Sequence, residues 1–131
     1  MEIAVSKENA RVPVTLLALK GRLDASSYEQ LRVAAEKEIM GGAQHLLLDF
    51  SGLEYMSSAG IRSINQIFDM LHSRTKSSME NIEKGIRDGT FKSPNLKLVN
   101  PRPHVLQVLK MVGIDMFLDI HKDLKSALAS F

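Results

Sequence analysis

Apolar and polar positions along the chain change period several times, and each change marks an element. β-Branched residues and leucines cluster at 2–5 and 12–20 around the polar run Ser6-Lys7-Glu8-Asn9, which predicts two strands joined by a turn. Gly21 stops the second. Ser26 and Glu29 then stand at capping-box spacing, and Tyr28, Leu31, Ala35 and Ile39 follow at helical intervals, predicting a helix over 27–40 that Gly41-Gly42 ends. The short apolar run 45–50 predicts a strand covered on both faces. After a loop over 51–56, a helix starts at Ser57 or Ser58, with Ile61, Ile64, Phe68 and Leu71 on the face expected to lie on the sheet.

The chain then turns polar. Residues 73–95 read as a surface excursion, partly helical through Met79, Ile82 and Ile86. Its charges, including Arg74, Lys76, Glu80, Glu83, Lys84, Arg87, Asp88 and Lys92, read as a solvated face, or as an insert that defines partner choice. A strand returns at 96–99. Pro101 and Pro103 open a helix with Val105, Leu109 and Val112 on one face and Gly113 as its C-terminal cap. A last strand over 116–120 and a short helix from Asp123 complete the pattern. Strands alternating with helices predict one α/β domain over 1–131, a mixed sheet of about four to five strands with crossover helices.

Composition narrows the function. With 131 residues, 44% of them hydrophobic, the chain is long enough for one ordinary core. Seventeen basic and fifteen acidic residues are interspersed, and there is no Trp, so neither a basic block nor an aromatic RNA-binding motif is present. The absence of cysteine removes disulfides, thiolate nucleophiles and thiolate metal sites. The longest apolar stretch, 12–19, is far short of the roughly 20 residues of a membrane span, and the N-terminus lacks the regions of a signal peptide. A cytoplasmic protein with no membrane insertion is expected.

Residues 49–61, Asp-Phe-Ser-Gly-Leu-Glu-Tyr-Met-Ser-Ser-Ala-Gly-Ile, resemble the STAS family pattern: a strand ending in Asp-hydrophobic-Ser, an apolar loop, then Asp-Ser-Ser/Ala-Gly-hydrophobic. Lys20-Gly21-Arg22-Leu23-Asp24 is similar to the family's turn before its first helix, and Val99-Asn100-Pro101 to the opening of its later one. The likeness spans nearly the whole chain apart from 73–95 and is of the anti-sigma factor antagonist type. It implies a STAS-like fold and a protein-binding switch, not an enzyme. Unphosphorylated, the switch binds an anti-sigma factor with serine kinase activity; phosphorylation of Ser58 releases it, and a PP2C-type phosphatase restores it. The family usually has Asp where this chain has Ser57, so Ser57 stands as a helix cap or a second acceptor. The expected partner-binding residues are Asp24, Ser57, Ser58 and Gly60. The resemblance also admits a STAS regulatory subunit of a lipid or anion transporter.

Elementary chemistry is consistent with this. A serine in the first turn of a helix lies beside backbone N–H groups without intrahelical partners, able to hold a phosphate. Phosphorylation would add roughly 1.5 to 2 negative charges to the exterior, and Asp24, which the resemblance places near Ser58 on the same rim, would add like-charge repulsion toward an acidic partner. Asp24 is equally suited to a turn or cap. Gly60 suits either the close approach of another backbone or tight helix-to-sheet packing, and Asp49 a turn-stabilising hydrogen bond. His45, His72, His104 and His121 are scattered, without metal-ligand spacing, and read as surface or strand-edge residues. Met56-Ser57-Ser58-Ala59-Gly60 lacks the leading glycine of a nucleophile elbow, and no Gly-rich phosphate loop is present, so no catalytic residue, metal or cofactor is expected.

Overall fold

A computed structural model describes residues 1–74 and 92–131. Most of the polar excursion expected at 73–95 therefore lies outside the described residues. Five strands form one sheet in the order of the chain: β1 (Glu2–Asn9), β2 (Pro13–Leu23), β3 (Leu46–Met56), β4 (Leu96–Val99) and β5 (Ile120–His121). β1 is antiparallel to β2, and every later neighbour is parallel. Among the described residues the helices are α1 (Tyr28–Met40), α2 (Ser58–Arg74), α3 (Pro103–Met111) and α4 (Leu124–Ala129), with a 3-10 turn at Ile114–Met116. This is the mixed α/β sheet expected.

The parallel strands need crossovers, and the apolar stripes of α1, α2 and α3 cover one face of the sheet. Leu31, Ala35, Ile64, Ile67, Leu71, Val105 and Leu109 pack there with Leu17, Leu48, Phe50 and Leu98. Of the stripe expected on α2, Ile64, Phe68 and Leu71 are buried and Ile61 half-buried, while Ile67 joins them. The opposite face is smaller: Val14, Leu16, Leu47 and Val99 are covered by α4. The short helix expected from Asp123 is α4, and Asp123 caps it, its carboxylate accepting from the Ser126 N–H at 2.8 Å.

Six local expectations fail for identifiable reasons. Ser6-Lys7-Glu8-Asn9 is strand, not turn, because β1 stays paired with β2 as far as Asn9 opposite Pro13. Gly21 does not stop β2, which runs on beside β3 to Leu23. Residues 51–56 are strand, not loop, because β3 continues beside β2 through two register shifts. The capping box at Ser26 and Glu29 does not form: Ser26 turns toward Asp24, and α1 starts after Ser27. Val112 is exposed, because α3 ends at Met111 and Gly113, at φ 82°, turns the chain so that Ile114 takes the buried place. The final strand shrinks to Ile120–His121, since Met116 belongs to the 3-10 turn.

His72 also corrects the reading of scattered surface histidines. It is buried in α2, with Nε2 2.7 Å from the Ser93 hydroxyl and its ring 4.3 Å from that of Phe68. Burial holds its pKa below the ordinary histidine value, against the opposing pull of Asp69. The unfolded chain therefore takes up this proton first as pH falls, so stability is full above about pH 6.5 and declines below it. His45, also held low mainly by burial, acts in the same sense. In urea titrations, stability should fall between about pH 7 and 5, and His72→Gln should remove much of that slope.

Candidate functional site

β4 pairs with β3 only as far as Asp49, yet β2 and β3 run on together to Leu23 and Met56. The result is a two-stranded arm projecting beyond the sheet. Its register slips twice: Ala18 faces Asp49 while Lys20 faces Gly52, and Gly21 faces Leu53 while Arg22 faces Tyr55. Each slip inserts one extra residue into β3. Gly52 lies at a close approach of the strands, since a Cβ there would stand 2.8 Å from the Leu19 carbonyl oxygen. The arm is held at the start of α3, with the Nε–H of Arg102, the residue before the helix, donating to Ser51 O at 3.2 Å and His104 hydrogen-bonded to Glu54 O.

The sites expected from the sequence meet at the tip of this arm. Leu23 O accepts the Ser57 N–H at 2.9 Å, joining the end of β2 to the residue before α2. Asp24 and Ser57 thus follow a paired Leu23 and Met56 on adjacent strands. Ser57 is half-buried and caps α2: its Oγ accepts from the Ala59 N–H at 3.2 Å and its carbonyl from the Gly60 N–H at 2.9 Å. Ser58 is exposed, and its hydroxyl has no hydrogen-bond partner among the described residues. Two of the first-turn donors expected for a phosphate are therefore already engaged by Ser57, which leaves the Ser58 side chain directed by exposure and not by a preformed anion cradle.

Asp24 is built into the turn that leads to α1. Its Oδ1 accepts the Ser26 hydroxyl at 2.6 Å and the Ser26 N–H at 2.9 Å. Ser27 closes the turn from inside, accepting the Asp24 N–H at 3.0 Å and donating to Arg22 O at 2.7 Å. The Ser26 hydroxyl, then its N–H, hold the Asp24 carboxyl below its ordinary pKa, with Arg22, whose Nε lies 3.9 Å away, adding to this. Asp24 remains an anion through the neutral range, half-exposed on the rim.

Gly60 is buried. A Cβ there would meet Met56 Cγ at 2.6 Å and Leu23 Cγ at 3.0 Å, so the close approach at Gly60 is internal, of helix to sheet. Of its two possible roles, packing accounts for it without a partner. Gly60→Ala should cost about 1–2 kcal/mol, the overpacking exceeding the gain in helix propensity. Urea unfolding would measure this.

Two residues that sequence reasoning passed over share the rim. Arg22 and Tyr55 are register partners, and the guanidinium lies 4.3 Å from the ring centroid. Both are exposed, and they give the tip one cation and one aromatic face beside Asp24 and Ser58. The pairing was hidden because it requires 51–56 to be strand. Asp49 accepts the Ser51 N–H at 3.0 Å, the turn-type bond expected of it. Among the described residues no group of three histidines or carboxylates is placed to hold a metal ion, and no helix is long and apolar enough to cross a membrane.

Comparison with known proteins gives the same fold. A protein of Thermotoga maritima superposes with a TM-score of 0.72 at 18% identity, covering 95% of this chain and 90% of its own. An anti-sigma factor antagonist of Mycobacterium paratuberculosis does so with a TM-score of 0.70 at 17% identity, covering 98% and 93%. The phosphorylated form of the Bacillus cell fate determinant SpoIIAA gives 0.64 at 18% identity, covering 96% of each chain. No curated protein matches the sequence at a significant level. The STAS domain family profile matches residues 4–92, which takes in β2, α1, the whole β3 arm and Ser58. The chain belongs to the STAS domain family.

Proposed function

We propose that this STAS domain is an anti-sigma factor antagonist: a non-catalytic switch that binds an anti-sigma factor/serine kinase when Ser58 is unmodified and leaves it when Ser58 carries phosphate. The observation that carries the reading is the exposed Ser58 hydroxyl at the mouth of α2, on the tip of the β2–β3 arm. Ser57 is the poorer acceptor, because it is half-buried and its Oγ is held against the helix by the Ala59 N–H, whereas Ser58 is exposed. A PP2C-type phosphatase would return the domain to its binding state, and both enzymes would act on it in the cytoplasm.

The partner-facing set becomes Asp24, Arg22, Tyr55 and Ser58, with Ser57 beneath them. The test is phosphoryl transfer from the cognate kinase followed by intact-mass measurement. Wild-type protein should gain one phosphoryl group, Ser57→Ala should still gain it, and Ser58→Ala should gain none. Full modification of Ser58→Ala would reject the site.

A further inference from the structure

A second surface lies away from the arm, along the edge of the sheet that ends in β5. β5 is the last strand in the order, and its ladder with β4 uses Leu98 N–H to Asp119 O at 3.0 Å and Asn100 N–H to His121 O at 2.9 Å. Backbone groups of successive strand residues point to opposite sides. With Asp119 and His121 turned to β4, the N–H and C=O of Ile120 face outward, and among the described residues no strand pairs with them.

That edge borders a cavity of about 490 Å³ between β5 and α3, floored by Leu106, Leu118 and Ile120. An adjoining open cavity of about 640 Å³ shares Pro101, Leu106, Lys110 and Lys122 with it and extends the apolar surface to Met111, which is 78% exposed. Lys92, Lys110 and Lys122 stand exposed around the groove against the acids Asp115 and Asp119. Asp119 is already engaged by Lys97 at 3.3 Å, so cationic charge prevails on the rim.

We propose that this groove takes an extended peptide segment of a partner protein, alternating apolar and acidic residues, which adds a strand beside β5. Free edge groups supply main-chain pairing, the apolar floor takes alternate side chains, and the lysines meet the acidic ones. A small free anion fits less well, because the floor is apolar and the three ammonium groups stand on an open rim.

The probe is an acetylated peptide alternating valine and glutamate, about six residues long, a usual strand length. Amide NMR should show it perturbing Ile120, His121 and Lys122, and anisotropy should show weaker binding as salt rises. Lys110→Glu combined with Lys122→Glu should weaken binding about tenfold. A backbone N-methylated copy should fail to bind. Equal binding of the N-methylated copy, equal binding of a valine–lysine peptide, or the same amide shifts with inorganic phosphate would each overturn the proposal. Ser58→Asp should leave the isotherm unchanged, which separates this surface from the reading of Ser58.

Discussion

Ser58→Asp should weaken binding to the cognate anti-sigma factor by about a hundredfold or more, and full phosphorylation by more still, with the fold intact. An exposed Ser58 is available to be covered in a complex. A charge placed there must then be desolvated against the partner, and Asp24, already an anion in its turn, offers it no compensation. Two cations lie nearby: the Arg22 guanidinium is occupied by the Tyr55 face and the Asp24 carboxylate, and exposed Arg62, one turn along α2 from Ser58, lies 5.7 Å from the Tyr28 ring centroid. Calorimetric titration of the two proteins would give the affinities. Thermal melting separates the switch from simple damage: an acid in the first turn of α2 favours the helix by about 0.3–1 kcal/mol, so Ser58→Asp should melt no lower than wild type. An unchanged affinity would remove the antagonist reading and favour the transporter-subunit alternative, which copurification with a transporter would test.

The legibility of this chain depended on whether a side-chain period survived. Leu31, Ala35 and Ile39 keep the helical interval and are all buried, so α1 was readable almost to the residue. The run 45–50 was readable because its strand is covered on both faces: Leu46 and Leu48 join one core, Leu47 the other. Beyond it the period-two signal vanishes. Phe50, Leu53 and Met56 all face the larger core, but at intervals of three, because each slip against β2 adds a residue. Spacing of that kind, with Ser51 and Gly52 inside it, reads as loop.

The residues of the proposed rim were nameable from the sequence, but their geometry was not. Asp24, Ser57 and Ser58 could be brought to one rim from the family pattern alone. What no single-chain pattern carries is a contact made across two strands, so Arg22 on Tyr55 and the bonds from Arg102 and His104 to β3 appear only in three dimensions. The difference between the two serines is likewise a matter of hydrogen bonding. Ser57 spends its oxygen on α2, and Ser58 does not.

Phe50→Ala should cost about 3–5 kcal/mol, the largest stability loss expected of a single substitution in this domain. Phe50 is fully buried in the larger core, on the central strand, at the first position after the pairing with β4 ends at Asp49. Removing its ring takes away the transfer free energy of a large apolar group and leaves a cavity that neighbouring strands, fixed by their ladders, cannot close. The loss is a large share of the 5–15 kcal/mol that an ordinary domain possesses. Phe50→Leu, which keeps most of the volume, should cost only about 1 kcal/mol. Urea unfolding should therefore shift its midpoint far down for alanine and slightly for leucine, with the slope unchanged if unfolding stays two-state. Equal small shifts in both would mean that the arm carries its own packing and that Phe50 is not the joint between arm and sheet. A large alanine shift accompanied by normal phosphorylation of the remaining folded protein would show that stability and switching are separable, as expected if Phe50 supports the scaffold and Ser58 alone carries the signal.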